Sequence, residues 1–478
     1  MGAGKTKYTT VVGLEIHAEL LTKTKLFCGC PNTFGSGENE NVCPGCLGLP
    51  GTLPALNQTA VELAVKGGFA LGCDITRLTS WDRKSYFYAD LPNGYQITQM
   101  FAPICTGGGL DIGGRFIRLD HIHLEEDAGK LIHDNLRNVT RMDFNRGGVP
   151  LIEIVTKPDM RSAEEAVAFV EKVRLALIYA GVCDGRMEQG RMRVDANVSV
   201  MPEGSDVLGT RIEVKNLNSF RNVALAIEHE VKRQITTLEE GGSLRQETRR
   251  YVDASDETFA MREKETAADY RYYPDTDIPV LKLDDSHIES LRASMPEMPE
   301  SRRIRYTGAH KMTDSDADTI LARKSVSDFY DSVAALGADP KDVLGIVRGE
   351  LLRNIGERDD EGEIPVSPED AARLIKMGAS GEIGANNMKK AFGIMMRGGG
   401  ESLDDIIAAN NMLIREDPEL LASVVREALA ANPAAVASYK AGEEKVFGFL
   451  MGQCNKTLKG AVHPKTLQDE LRAQLGRL

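Results

Sequence analysis

The chain has 478 residues, 42% hydrophobic and 27% charged, the make-up of a globular protein too long for one ordinary core. No run of about 18 apolar residues is present and the first residues carry no apolar leader, which predicts a cytoplasmic protein without a membrane span. A net charge of −13 argues against wholesale, non-specific nucleic-acid binding, which needs a positive field, but it leaves room for a local basic patch.

Up to residue 294 the chain is rich in Gly, β-branched residues and aromatics, in alternating runs that predict strands. Gly2-Ala3-Gly4-Lys5-Thr6 looks like the end of a phosphate-binding loop, but the upstream glycine and strand are missing, so any nucleotide is held another way. In Gly13–Leu20 strict alternation puts Glu15, His17 and Glu19 on one side and Leu14, Ile16, Ala18 and Leu20 on the other. Cys28-Gly29-Cys30 and Cys43-Pro44-Gly45-Cys46 follow, separated by twelve residues. Two such pairs on tight turns bring four thiolates to one ion, and four thiolates suit Zn²⁺ in a closed, structural site. The isolated Cys73, Cys105, Cys183 and Cys454 read as small core residues.

The run Asp82-Arg83-Lys84-Ser85-Tyr86-Phe87-Tyr88 mixes cations with aromatics, which suits a ribose-phosphate or nucleoside pocket with Lys84, Tyr86 and Tyr88 as contacts. The same run also fits a packed strand edge with snorkelling stems. His121–Asp127 ends in three consecutive carboxylates, Glu125, Glu126 and Asp127. Ser162 to Ala180 predicts a helix, with Ala166, Val170, Val173 and Leu177 at helical spacing and Gly181 as its stop. Two further alternating stretches carry Arg191, Arg193, Asp195 and Asn197, and then Arg211, Glu213 and Lys215, on their polar sides. From 295 to 404 the periodicity is helical, ending in the Gly398–Gly400 break. The rest, 405–478, is Ala/Leu-rich and helical, broken at Asn432-Pro433 and His463-Pro464. The expected fold class is therefore α+β: a catalytic domain around an antiparallel sheet, a helical domain and a small helical tail.

An antiparallel sheet with one solvated face would explain any one of these polar strand faces without chemistry. The set is better explained by a site, because Glu-x-His and Arg-x-Asp-x-Asn are unusual on a merely wet face. Glu15, His17, Glu125, Asp195 and Glu213 offer ligands for Mg²⁺, which takes one or two carboxylates and bridges to nucleotide phosphates. Arg193 and Lys215 would clamp phosphate oxygens as charge develops in a phosphoryl transfer.

At these residues the sequence resembles the GatB family, the B subunits of the glutamyl/aspartyl-tRNA amidotransferases. The matching blocks include Val12-Gly13-Leu14-Glu15-Ile16-His17, Asp82-Arg83-Lys84, Leu124-Glu125-Glu126-Asp127-Ala128-Gly129-Lys130, Asn145–Glu153, Met192–Asn197, Glu213–Ser219 and Tyr272-Tyr273-Pro274. The resemblance implies a cradle-shaped catalytic domain that uses ATP and Mg²⁺ to phosphorylate the side-chain carboxylate of misacylated Glu-tRNA(Gln) or Asp-tRNA(Asn). It also implies a heterotrimer, in which a partner amidase (glutaminase) subunit supplies ammonia from glutamine and a small third subunit completes the assembly. By the motif match Glu15, His17, Glu125, Asp195 and Glu213 surround the Mg²⁺, while Glu126 and Lys84 lie along the ammonia path. Glu125 is also a candidate acceptor for the proton of attacking ammonia. Lys440, Lys445, Lys456, Lys459, Lys465, Arg472 and Arg477 outnumber Glu443, Glu444, Asp469 and Glu470 over the last stretch, 440–478, and fit contact with tRNA phosphates, or else a solvated helix face. The competing reading is a non-catalytic, zinc-containing scaffold that presents tRNA to another enzyme.

Overall fold

A computed structural model describes residues 7–134, 136–263, 269–356, 364–398, 400–414, 418–458, 462 and 464–477. Gly2–Thr6, Gly399, Lys459 and His463 lie outside them. The fold class is α+β, in two compact units, Met1–Pro299 and Glu300–Leu478.

The first unit is built on a ten-stranded sheet. Its strands, in chain order, are β1 (Tyr8–Glu19), β2 (Asp74–Ile75), β3 (Cys105–Thr106), β4 (Gly109–Asp111), β5 (Phe116–Glu126), β6 (Pro150–Thr156), β7 (Met192–Pro202), β8 (Ile212–Leu217), β9 (Glu247–Val252) and β10 (Glu257–Glu263). They lie in the order β10-β9-β8-β7-β1-β6-β5-β3-β2, with β4 paired to β5. All neighbours are antiparallel except β8 and β9. That parallel pair departs from the purely antiparallel expectation and requires a crossover, which helix α3 (Phe220–Glu239) supplies.

Three helices cover one face of the sheet. On α1 (Gln58–Ala70), Ala60, Val61, Ala64 and Val65 are buried; on α2 (Ala163–Tyr179), Phe169, Val170, Val173 and Leu177; on α3, Val223, Ala226 and Ile227. They meet Leu14, Ile16 and Ala18 of β1 and Val194, Ala196 and Val198 of β7 in one continuous core. The α2 prediction holds, with the two predicted end residues serving as caps: Ser162 accepts a hydrogen bond from the Glu165 N–H as the N-cap and Ala180 is the C-cap. At Gly68 the α1 backbone approaches the sheet so closely that a Cβ would lie 2.5 Å from Cys105 Sγ. The helices thus take one side of the sheet, and its other side is left to the polar residues.

The second unit is helical. The predicted break at Asn432-Pro433 separates Pro418–Ala431 from Pro433–Lys440, and Pro464 opens Pro464–Arg477. Leu421, Val425, Leu450, Cys454, Leu467 and Leu471 form a separate core within this unit. Among the described residues no single helix is long and apolar enough to cross a membrane.

Candidate active site and metal centre

Pairing register, which no single strand reveals, assembles the polar face. Glu15 on β1 stands opposite Asp195 on β7, and His17 stands between Arg193 on β7 and Glu153 on β6. Glu153 in turn faces His123 on β5, and Glu213 on β8 faces Asn197 on β7 and Thr248 on β9. A small separate sheet of Asp82–Ser85, Tyr95–Thr98 and Tyr273–Pro274 supplies further walls of the site. Together they enclose a cleft of about 410 Å³, lined by Glu15, His17, Glu125, Glu153, Glu213 and Lys215, with Lys84, Tyr86, Tyr270 and Tyr272 on its other walls.

Two clusters stand in this cleft. In the first, His17 Nε2 lies 3.5 Å from Glu125 Oε1 and 3.4 Å from Glu153 Oε2. His123 Nε2 reaches the same two carboxylates at 3.5 and 3.2 Å. Burial by itself would lower the pKa of both imidazoles, but Glu153 and Glu125 outweigh it, raising His17 and carrying His123 up to about 10. Burial opposes ionisation of Glu153 too, yet His123 and His17 hold its carboxyl well below the usual range. In the second cluster the carboxylates of Glu15, Asp195 and Glu213 lie within 4.8 Å of one another. Lys215 Nζ bridges them, 2.6 Å from Asp195 and 3.1 Å from Glu213. Asn197 Nδ2 donates to Glu15 at 2.9 Å and Thr248 Oγ1 donates to Glu213 at 2.8 Å. Burial, followed by the neighbouring Glu153, Glu213 and Asp195, raises the Glu15 carboxyl.

The five carboxylate and imidazole groups expected around one ion therefore divide. His17 and Glu125 join Glu153 in one potential metal-binding group, while Glu15, Asp195 and Glu213 form another around a lysine. Of the two expected phosphate clamps, Lys215 lines the cleft, whereas Arg193 donates to Asp127 at 3.0 Å and is not among the lining residues. Lys84 lies 4.9 Å from the centre of the Tyr270 ring. Tyr86 lines the cleft, but Tyr88 does not; half exposed, it packs edge-on against Tyr86 with ring centroids 5.7 Å apart. Glu126 follows Glu125 on the strand and so turns to the opposite side, into a smaller cavity of about 90 Å³ beside Lys25 and Cys46. There it accepts from the Ile97 N–H at 3.0 Å, and burial pushes its carboxyl up to about 7. Glu153 and His123 are functional candidates that strand-by-strand reading assigned no role; the available signal was a single charged residue in the apolar run Pro150–Thr156.

The cysteine quartet does converge. Cys46 Sγ lies 3.5 Å from Cys28 Sγ and 3.7 Å from both Cys43 and Cys30. Tetrahedral thiolates 2.3 Å from a zinc ion stand about 3.8 Å apart, so this spacing fits one such ion. The fully buried Lys25 donates to the Phe144 carbonyl at 2.9 Å and to Cys46 Sγ at 3.5 Å. The Cys28 thiol, assisted by Lys25, draws the Cys46 thiol well below its usual range, while the same contact with Cys46 and burial push Cys28 far up and burial pushes Cys30 up, so one thiolate is held within the quartet. The quartet can hold a metal ion such as zinc.

Fold and site together define an α+β protein whose helix-free sheet face gathers two clusters of carboxylates with histidine and lysine in one cleft. Residues 10–289 match the GatB/GatE catalytic domain and residues 328–475 match the GatB domain, and the chain belongs to the GatB family. The B subunit of the aspartyl/glutamyl-tRNA(Asn/Gln) amidotransferase of Ruminiclostridium cellulolyticum is 48% identical over 477 residues, covering 99% of this chain and 98% of that protein. The protein of the same name from Solidesulfovibrio magneticus is 43% identical over 475 residues, covering 98% of this chain and all of that protein. That from Thermoanaerobacter sp. is 44% identical over 476 residues, with coverage of 98% and 100%.

Proposed function

We propose that this chain is the tRNA-amidating member of a cytoplasmic heterotrimeric amidotransferase, with an amidase (glutaminase) subunit and a small third subunit as partners. Its cleft activates the side-chain carboxylate of Glu-tRNA(Gln) or Asp-tRNA(Asn). The observation that carries this reading is the convergence of Glu15, Asp195 and Glu213 around Lys215, beside His17, Glu125 and Glu153, in one cleft.

A carboxylate resists attack by ammonia because it is anionic and would have to expel oxide. One of its oxygens therefore attacks the γ-phosphorus of ATP, ADP departs, and an acyl phosphate forms. Ammonia then attacks the carbonyl carbon, the C–O bond to phosphate breaks, and amide, inorganic phosphate and a proton are released. The first step asks for charge neutralisation and positioning more than covalent chemistry. Glu125 and Glu153 with His17 form a compact donor set for Mg²⁺, which when bound supplies charge neutralisation at the nucleotide phosphates. Lys215 presents a cation at the cleft wall, held there by Asp195 and Glu213. Lys84 and the Tyr86, Tyr270 and Tyr272 rings form walls suited to a nucleoside and its phosphates. Glu125, in the cleft, takes the proton of attacking ammonia, and Glu126, behind the strand in the smaller cavity, belongs to the ammonia path. The quartet carries Zn²⁺ as a structural ion, and the tail from residue 405 contacts tRNA.

The test is amide formation by the reconstituted complex with misacylated tRNA, ATP, Mg²⁺ and ammonium chloride as nitrogen source. Asp195→Ala removes one side of the Lys215 cradle and is expected to lower amide formation at least about 100-fold, on the scale of losing one transition-state electrostatic contact, while the amidase continues to release ammonia. Amide formation at the wild-type rate would overturn the assignment. The scaffold alternative predicts that outcome, because it requires only the quartet.

A further inference from the structure

A chain of side chains runs from the cleft to the protein surface, and the mechanism above does not use it. Lys157 holds one oxygen of Asp120, and the other oxygen lies 2.8 Å from His121 Nδ1. His121 Nε2 lies 3.1 Å from His123 Nδ1, and His123 Nε2 faces Glu125 and Glu153. The hydrogens in this chain can be placed by elimination. Asp120 beside an ammonium is a carboxylate and can only accept, so His121 donates from Nδ1. A neutral ring with its hydrogen on Nδ1 has a bare Nε2, which must accept. His123 therefore donates from its own Nδ1, which leaves Nε2, facing Glu125 and Glu153, as the nitrogen whose hydrogen a cation can replace.

We propose that His121 is a positioning residue, which with Asp120 and Lys157 holds the hydrogen on His123 Nδ1 and so fixes Nε2 as the nitrogen that turns to the divalent cation of the cleft when the cation displaces its hydrogen. The arrangement has the logic of a carboxylate–histidine pair behind a metal ligand, lengthened by one imidazole. The two rings are nearly parallel, inclined at 26°, so the second ring also limits rotation of the first. The inference rests on the cleft holding a cation, as proposed above.

The experiment uses the full-length chain with Mn²⁺ as probe. The free aqua ion is counted by electron paramagnetic resonance, and the His123 tautomer is read from imidazole ¹⁵N shifts of the protein saturated with diamagnetic Mg²⁺. His121→Leu is expected to weaken Mn²⁺ binding about 10- to 100-fold. His121→Gln, whose amide can donate to Asp120 and accept from His123, recovers most of that loss. Asp120→Asn keeps the ring but reverses the chain: Lys157 retains the amide oxygen, the amide NH₂ turns to His121 Nδ1, and hydrogens move to Nε2 of both histidines. Its ¹⁵N pattern for His123 should invert and its Mn²⁺ affinity fall. Asp120 keeps 42% of its side-chain exposure, so this variant decides the matter if His121→Leu fails to fold. Glu153→Gln is the control for the cleft itself. If it loses Mn²⁺ while His121→Leu or Asp120→Asn binds as wild type, the positioning role is overturned and the cation site stands. If Glu153→Gln also binds as wild type, the cation reading fails and this inference fails with it.

Discussion

Replacing Lys215 by methionine keeps an apolar stem in place and removes one charge from the centre of the second cluster. The ammonium lies 2.6 Å from Asp195 and 3.1 Å from Glu213, and both acidic residues are buried. Two unit charges 4 Å apart are worth about 4 kcal/mol where the effective dielectric constant is near 20 and about 1 kcal/mol in water. Lys215 keeps 37% of its side-chain exposure, so solvent in the cleft pulls each pair toward the lower figure. The variant also has an escape, because one carboxylate of the three can take up a proton, and Glu15 is already raised by burial and its acidic neighbours. A net loss of about 2 kcal/mol at pH 7 is expected, below the 3–5 kcal/mol typical of breaking a fully buried pair. The sign with pH follows from linkage. Without Lys215 the already raised Glu15 carboxyl loses the cation that lowers it and stands further above its unfolded value, so the deficit grows as pH rises and shrinks as acid protonates it in both states. Denaturant unfolding of Lys215→Met and wild type at pH 7 and pH 5 measures it. An equal deficit at both values would mean lost packing rather than lost charge, and no deficit at all would refute the cradle as an electrostatic unit.

Metal analysis after dialysis against a weak chelator should find about one zinc per chain, and Cys46→Ser should remove it; a fully folded, zinc-free wild type would remove the claim. Burial raises the Cys73 and Cys183 thiols to about 12 and Cys105 well above its usual value. At pH 8 their thiolate fraction is therefore about one part in 10⁴ or less. Mass spectrometry after iodoacetamide treatment of the native protein should find these three unmodified, and rapid labelling would show that the core around them opens.

The parts of this architecture that are local in sequence were readable from the residues alone. Glu15 and His17 alternate with Leu14 and Ile16, so one strand suffices to sort them into a polar side and a core side. The quartet declared itself by spacing, and α2 by its Ser162 cap, apolar stripe and Gly181 stop. What resisted reading depends on how strands pair. Glu153 and His123 meet His17 and Glu125 only because β6 lies between β1 and β5, and a strand carries no mark of its neighbours. The split into two clusters has the same origin: β7 and β8 place Asp195 and Glu213 on the far side of Glu15 from Glu125. Glu126 is local too: period-two alternation sends it to the other side of the strand from Glu125, where it lines the smaller cavity. Helix α1 was passed over because Gly67 and Gly68 weaken its pattern, yet these glycines serve the close approach to Cys105 and Ile152.

The central claim is that the cleft transfers a phosphoryl group to the substrate's own carboxylate. Glu-tRNA(Gln) labelled with ¹⁸O in its side-chain carboxylate tests this directly in the reconstituted complex with ATP, Mg²⁺ and ammonium. An acyl phosphate requires one labelled oxygen to leave with each inorganic phosphate released. One ¹⁸O per phosphate, in step with amide formed, is the predicted result. Amide produced alongside unlabelled phosphate would contradict the account.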